Sequence, residues 1–149
     1  MLNSEFDDGP AQISPDGRWL AYRSDASGSY EIYVQSFTPD GHAGSERVQI
    51  SKNGGSQPRF SANGQELFYL TNDGRMMAVA ITGHGAAFEH GEAKELFKTH
   101  TLLPTVEVRY DYDVSRDGQR FLIATILDGP HAAPPVPTIV LNWMAALRK

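Results

Sequence analysis

The chain has 149 residues, a mass of 16.4 kDa and a formal net charge of -5, from 13 Lys and Arg against 18 Asp and Glu. This acidic balance argues against a dedicated nucleic-acid binder, because phosphate contacts need a basic face. The chain has no cysteine, which excludes disulfides, thiolate nucleophiles and cysteine-based zinc sites.

One four-residue turn sequence, Ser-x-Asp/Asn-Gly, occurs three times, at Ser14–Gly17, Ser61–Gly64 and Ser115–Gly118. In such a turn Gly adopts a positive φ, and Asp or Asn hydrogen-bonds the backbone that follows. The spacing between copies is close to the roughly 40–50 residues of a propeller blade, with the excess in loops. Each copy therefore predicts a strand, a tight turn and a second strand.

Further strands are predicted in chain order from apolar runs after each turn. Runs without polar alternation, such as Leu67–Tyr69, indicate sheets that are covered on both faces, as in a propeller. The predicted strands are Trp19–Tyr22, Glu31–Phe37 and Glu46–Ser51, then Glu66–Tyr69, Arg75–Ile81 and Lys94–Lys98, then Arg120–Ile123 and Pro137–Trp143. We therefore predict an all-β fold of four-stranded antiparallel β-propeller blades, with units at about 9–51, 56–98 and 107–143 and a short C-terminal tail.

The first unit carries the features of a known repeat, in the turn Ser14–Gly17, the strand Trp19–Tyr22 and the strand Ile32–Val34. These units resemble the WD40-like (PD40) repeats of the TolB-like β-propeller family. The stretches Gly54–Arg59 and Val140–Trp143 also resemble the C-terminal part of propellers linked to bacterial serine/threonine kinases. The resemblance implies a propeller fold, binding of another protein at one end of the central channel, and a periplasmic or other extracytoplasmic location.

The number of blades sets a further expectation. Propellers typically have about 4–8 blades, whereas this chain supplies three. The remaining blades come either from a second copy or from a longer protein of which this chain is a part. We predict a homodimer that closes a six-bladed ring, because the end blades would otherwise expose apolar faces and unpaired strand edges. In that ring Met1–Phe6 of one copy would pair as the outer strand of the other copy's third blade.

Motifs for catalysis and cofactor binding are absent from the sequence. There is no Gly-x-Ser-x-Gly elbow, no phosphate-binding loop and no kinase motif, so no cofactor is expected. His84, His90 and Glu92 lie close together in a predicted Gly-rich loop, but such a loop does not fix metal ligands and no metal is expected. We also expect no signal peptide and no membrane insertion, since every apolar stretch falls short of the about 20 residues of a membrane helix.

Polar residues near the innermost strands form the candidate binding site. In a propeller these strands border the central channel, so their charged and amide side chains would line its mouth. Asp16, Asp73 and Asp117 are instead explained as turn formers. We predict partner binding at the channel mouth by Asp7, Asp8, Gln57, Arg59, Arg109 and Asp111.

The predicted function is a non-enzymatic propeller module that binds a protein or a peptide. Rigid blades hold the loops in place, and the loop composition selects the partner. One alternative is a hydrolase or lyase whose site combines Asp7, Asp8, Arg109 and Asp111, although paired carboxylates alone do not define a catalyst. Another alternative is a structural propeller fragment without an independent function.

Overall fold

The structure, a computed structural model, describes residues 8–82, 87–99, 110–124 and 137–141. Within these ranges the chain forms three antiparallel sheets and no helix. The described residues therefore contain no helix that could span a membrane. The first sheet contains β1 (Asp8–Ile13), β2 (Trp19–Ser24), β3 (Glu31–Phe37) and β4 (Ala43–Gln49). The second sheet contains β5 (Ser56–Phe60), β6 (Glu66–Leu70), β7 (Arg75–Ile81) and β8 (His90–Lys98). The third sheet contains β9 (Tyr112–Val114), β10 (Arg120–Ala124) and β11 (Pro137–Leu141).

Each sheet is a meander in which strands that are consecutive in the chain are paired. β3 and β7 begin and end where the sequence predicts them. The second strand of every repeat also follows its turn as predicted. The third sheet has three strands in the described part of the chain. Two predicted features, the Met1–Phe6 strand and Trp143, lie outside the described residues.

The outer strands depart most from the prediction. β4 spans Ala43–Gln49, displaced from the predicted Glu46–Ser51. β8 starts at His90, before the predicted Lys94, so the placement of His90 and Glu92 in a loop was wrong. Residues 92–95 are exposed, and an exposed edge strand lacks the apolar alternation by which a strand is recognised in a sequence.

The repeated turn is held by a local hydrogen-bond set that explains its sequence. In the first copy the Ser14 hydroxyl donates to Asp16 Oδ1 at 2.6 Å and accepts from the Trp19 amide at 2.9 Å. Gly17 has a φ of 75° and its amide donates to the Ser14 carbonyl oxygen at 2.9 Å, a conformation that favours glycine. The hydrogen bond from Ser14 is the main cause that lowers the pKa of Asp16 to about 2.

The other copies repeat this arrangement with different residues. In the second turn Asn63 Oδ1 accepts from the Ser61 hydroxyl at 2.7 Å, so the change from Asp to Asn keeps the acceptor. In the third turn the Ser115 hydroxyl donates to Asp117. This hydrogen bond also lowers the pKa of Asp117. The acceptor oxygen at the third turn position is therefore the feature that the repeat preserves.

Two apolar clusters join the three sheets. The first lies between the first and second sheets, where the rings of Trp19 and Phe88 meet edge to face with centroids 5.2 Å apart. The second lies between the second and third sheets, where Phe68 and Phe121 meet in the same way at 5.1 Å. Removing these rings from water stabilises the packing of sheet on sheet. The aromatic side chains of Trp19, Tyr22, Phe68 and Tyr69 are all buried in this way.

Among the described residues, two large apolar side chains are exposed, one at each end of this row of sheets. Ile13 on β1 is 45% exposed, whereas Phe60, at the same position of the second repeat, is 6% exposed. Leu122 on β10 is 47% exposed, whereas its counterpart Phe68 is fully buried. Phe60 packs in the cluster shared with the first sheet, and Phe68 in the cluster shared with the third. None of the three described sheets therefore covers Ile13 or Leu122 as a neighbouring sheet covers their counterparts.

On the face of the first sheet that carries Ile13, the apolar side chains of Leu20, Tyr22 and Tyr33 are buried. Ile13 is paired with Leu20 across β1 and β2, and Leu20 forms a third cluster with Tyr22 and Tyr33. The Tyr22 hydroxyl donates to Gln35 Oε1 at 2.8 Å. The exposed apolar surface on this face is thus confined to the innermost strand.

Candidate functional site

The structure brings together three of the six residues predicted at the channel mouth. Gln57 and Arg59 lie on β5, and Asp111 lies directly before β9, so all three are at the junction of the second and third sheets. Asp8 begins β1, where its backbone is paired with Ser24. The remaining two predicted residues, Asp7 and Arg109, lie outside the described residues.

Gln57 joins the second sheet to the chain segment that enters the third. Its side chain is fully buried, its Nε2 donates to Asp111 Oδ2 at 2.8 Å, and its Oε1 accepts from the Asp111 amide at 2.7 Å. The Tyr112 hydroxyl adds a hydrogen bond to the Gln57 carbonyl oxygen at 2.7 Å. Gln57 has a φ of 56°, which costs of order 1 kcal/mol for a residue with a Cβ. These contacts offset that cost and hold β5 against the segment that enters β9.

Arg59 extends the same junction toward solvent. Its Nε donates to the Tyr112 carbonyl oxygen at 3.1 Å, and its Nη1 lies 3.3 Å from Asp113 Oδ1. The guanidinium carbon stands 4.3 Å from the centroid of the Tyr110 ring, a favourable cation–π distance. Because the Arg59 side chain is 24% exposed and that of Asp113 is 66% exposed, both charges remain accessible from solvent.

The two tyrosines at this junction are neutral hydrogen-bond donors at physiological pH. Burial raises the pKa of Tyr112 well above its usual value. Burial also raises the pKa of Tyr110, although the nearby Arg59 charge opposes the shift. The Tyr110 hydroxyl donates to the Pro58 carbonyl oxygen at 3.2 Å. Both phenols therefore hold the backbone of β5 rather than supplying a reactive proton.

The junction of the first and second sheets uses the corresponding position. Gln12, which precedes the first turn as Arg59 precedes the second, accepts a hydrogen bond from the Phe60 amide through Oε1 at 2.6 Å. Sequence reasoning missed Gln12 and Tyr110 as site residues. The signal that points to Gln12 is its place in the repeat, since it stands two residues before a turn serine, as Arg59 does.

A buried carboxylate orders the connection from the first sheet to the second. Glu31 accepts hydrogen bonds from the Ser51 hydroxyl and from the Gly54 amide, the latter at 2.9 Å. Ser51 Oγ accepts in turn from the Ile32 amide at 2.8 Å. Burial and the Glu31 charge raise the pKa of Tyr69 to about 12. These contacts fix the start of β5, on which Gln57 and Arg59 lie.

The histidines do not form a metal centre in the part of the chain that the structure describes, where no group of three metal-ligating side chains occurs. His84 lies outside the described residues. His90 is on β8, and its Nδ1 is 2.8 Å from the Gly91 carbonyl oxygen. His42 is exposed, 3.7 Å from the Asp40 carboxylate.

Solved structures with the same fold include three proteins of low sequence identity. TolB from Acinetobacter baumannii matches with a TM-score of 0.62 and 19% identity, covering 95% of this chain and 31% of that one. An oligogalacturonate lyase from Vibrio parahaemolyticus matches with 0.53 and 14%, covering 83% and 31%. A protein from Lactobacillus plantarum matches with 0.53 and 16%, covering 91% and 40%. No family model matches the sequence, and no curated protein matches it in sequence.

The fold is that of a partial β-propeller. This confirms the predicted fold class, since the three sheets correspond to blades and the matched proteins are propellers. The chain spans about a third of the length of the TolB structure that it matches. At such low identities the likeness shows the fold alone, because one fold hosts many unrelated functions.

The enzyme alternative stays a prediction. Of its four residues, Asp7 and Arg109 lie outside the described residues. The Asp111 carboxylate accepts from Gln57. The described junction presents the Arg59 guanidinium and the Asp113 carboxylate to solvent, beside the Tyr110 ring.

Proposed function

We propose that the chain is a non-enzymatic module of WD40-like (PD40) repeats that binds a protein or peptide at the channel mouth. We further propose that two copies form its six-bladed ring. The observation that carries the binding function is the pair of Arg59 and Asp113, which lie side by side on the inner strands of adjacent blades with both charges open to solvent. Two hydrogen bonds hold the strands that carry this pair, from Arg59 to the Tyr112 carbonyl oxygen and from the Tyr112 hydroxyl to the Gln57 carbonyl oxygen. The pair is therefore ordered before a partner binds.

The proposed dimer is supported by the two ends of the row of blades. Ile13 and Leu122 are exposed at positions where the second blade buries Phe60 and Phe68. In a ring of two copies, the face of one copy that carries Ile13 would pack on the face of the other that carries Leu122. Each copy would contribute both faces, as the two-fold symmetry of a closed dimer requires.

Light scattering on the purified chain tests the dimer. We expect a particle of about twice 16.4 kDa, and a monomer when Ile13→Asp places a charge in the contact. Ala93→Asp, which puts the same charge on exposed β8, is the matched control and should remain dimeric. A wild-type chain that stays monomeric at micromolar concentration would refute the ring.

Binding at the channel mouth is tested by capture from a protein extract of the source cells. Wild type and Lys98→Glu should retain the same captured protein, because Lys98 is exposed at the far end of β8. Arg59→Ala should lose it while keeping the wild-type circular dichroism spectrum. Equal capture by all three proteins would show that the partner does not use this mouth.

A hydrolase and lyase screen tests the enzyme alternative directly. Under the proposed function neither wild type nor Asp111→Asn turns over any substrate. An activity that is present in wild type and lost in Asp111→Asn would overturn the proposal of a non-enzymatic module.

A further inference from the structure

A second surface, lined by none of the described channel-mouth residues, has the features of a binding groove. It lies between the outer parts of the first and second blades and has a volume of about 570 Å³, within the range of ligand sites. One wall is the end of β4 and the loop after it, and the other is the start of β8. The lining residues are Gln49, Ile50, Lys52, Asn53, Gly54, Tyr69, Thr71, Met77, His90, Gly91, Glu92 and Ala93.

The floor of the groove is apolar. Ile50 and Tyr69 belong to the cluster between the two blades, and Met77 packs against it. Tyr69 is 3% exposed, and burial together with the Glu31 charge raises its pKa to about 12, so its ring is neutral at physiological pH. The floor therefore favours an apolar side chain of a ligand.

One wall of the groove is an open strand edge. β8 is the last strand of the order β5-β6-β7-β8, so the described residues pair it on one side only. Its first residues, His90–Ala93, border the groove. An extended peptide that aligns with such an edge gains backbone hydrogen bonds and places alternate side chains toward the floor.

The charges of the two walls are opposite. Lys52 is exposed on the first-blade wall, and Glu92 is exposed on the second-blade wall. Neither side chain forms an ion pair among the described residues. A peptide that lies along β8 would therefore face Lys52 across the groove. At the peptide position nearest Lys52 an acidic residue is favoured.

From these features we infer that the groove binds an extended peptide. The peptide pairs with the edge of β8 at His90–Ala93, inserts an apolar side chain over Ile50 and Met77, and offers an acidic residue to Lys52. This site is independent of the proposed channel mouth, which is built from the inner strands β5 and β9.

A displayed library of random short peptides, selected on the wild-type protein, provides the test. Enriched peptides should carry an acidic residue next to an apolar one. Their affinity, measured by fluorescence anisotropy, should fall about five-fold in Lys52→Glu and stay unchanged in Lys98→Glu, the matched control on β8. Hydrogen exchange at the amides of residues 90–93 should slow when the peptide binds.

Two other results would overturn the groove. One is the absence of enriched peptides. The other is a set of peptides that lose affinity in Arg59→Ala but not in Lys52→Glu, since these bind the channel mouth and support only the proposed function. In a third outcome, no protein is captured at the channel mouth while the library peptides lose affinity in Lys52→Glu. That result supports peptide binding in the groove and contradicts the proposed binding at the channel mouth.

Discussion

Gln57 and Asp111 hold each other through two hydrogen bonds, from Gln57 Nε2 to Asp111 Oδ2 at 2.8 Å and from the Asp111 amide to Gln57 Oε1 at 2.7 Å. These residues occupy the same place in successive repeats, four residues before the turn serine. Arg59 and Gln12 likewise reach the backbone of the next inner strand. The inner strands are thus connected by side chains rather than by strand pairing, which orders the channel side of adjacent blades.

Removing the Gln57 amide should destabilise the chain by about 2 kcal/mol, because it deletes two partly buried hydrogen bonds, one of them to a carboxylate. Gln57→Ala isolates the side chain, since alanine at a φ of 56° carries the same backbone cost as glutamine. Urea denaturation of Gln57→Ala, Asp111→Ala and the double variant measures the coupling. We expect the double variant to lose about 1–2 kcal/mol less than the sum of the single variants. Additive losses would show that the two side chains do not act together.

The first turn should contribute to acid sensitivity. The pKa of Asp16 is lowered to about 2 in the folded chain, against about 3.9 when unfolded. Its stabilising contribution is therefore present above pH 4 and is lost as the pH falls from about 4 to 2. Because the Asp16 side chain is 47% exposed, solvent screening limits this contribution to about 1 kcal/mol or less.

The variant Asp16→Asn tests this contribution, because it introduces the residue that the second repeat has at the same turn position. Asn63 already supplies the same acceptor oxygen there, so the variant should keep its fold and lose less than about 1 kcal/mol at pH 7. Denaturation midpoints measured from pH 7 to pH 2 should fall less steeply than those of wild type. An unchanged pH profile would contradict the role of Asp16.

Much of the fold was predictable because the repeated turns depend on hydrogen bonds between residues that are close in the sequence. The serine, the Asp or Asn and the Gly of each turn act on residues within five positions, so the sequence alone locates the turns. β3 follows for a similar reason, since its buried positions form an uninterrupted run, and β7 is apolar at every position after Arg75.

The outer strands and the site contacts were harder to predict. β8 is exposed over residues 92–95 and owes its strand conformation to pairing with β7, which is a long-range contact. The partner of Gln57 lies 54 positions along the chain, so no local pattern connects it to Asp111. Sequence reasoning placed both residues at the channel end but did not anticipate that they bind each other.

The two glycines before β5 have a steric role that a single substitution tests. A Cβ at Gly55 would lie 2.6 Å from Ser51 Oγ and 2.8 Å from Ile32 Cγ1, so Gly55→Ala should cost about 1–3 kcal/mol. Gly91→Ala is the matched control, because its Cβ would meet no atom closer than 3.8 Å. Thermal denaturation compares the two variants, and the melting temperature of Gly55→Ala should be the lower one. Equal melting temperatures would mean that the connection relaxes around the added methyl.

The corresponding positions Phe68 and Leu122 separate folding of one copy from assembly of two. Phe68 is fully buried inside one copy, so Phe68→Ala should cost about 3–5 kcal/mol of folding stability at any protein concentration. Leu122 is 47% exposed, and Leu122→Ala should change the stability of a dilute monomer by less than about 0.5 kcal/mol.

The same Leu122→Ala variant should weaken dimer formation, measured by sedimentation at increasing concentration, because the proposed ring buries this side chain as the second blade buries Phe68. A large loss of monomer stability in Leu122→Ala would show that the chain covers this residue itself. An unchanged dimer affinity would place Leu122 outside the contact between copies. Only a stable monomer combined with weakened association fits a blade face that is completed by the second copy.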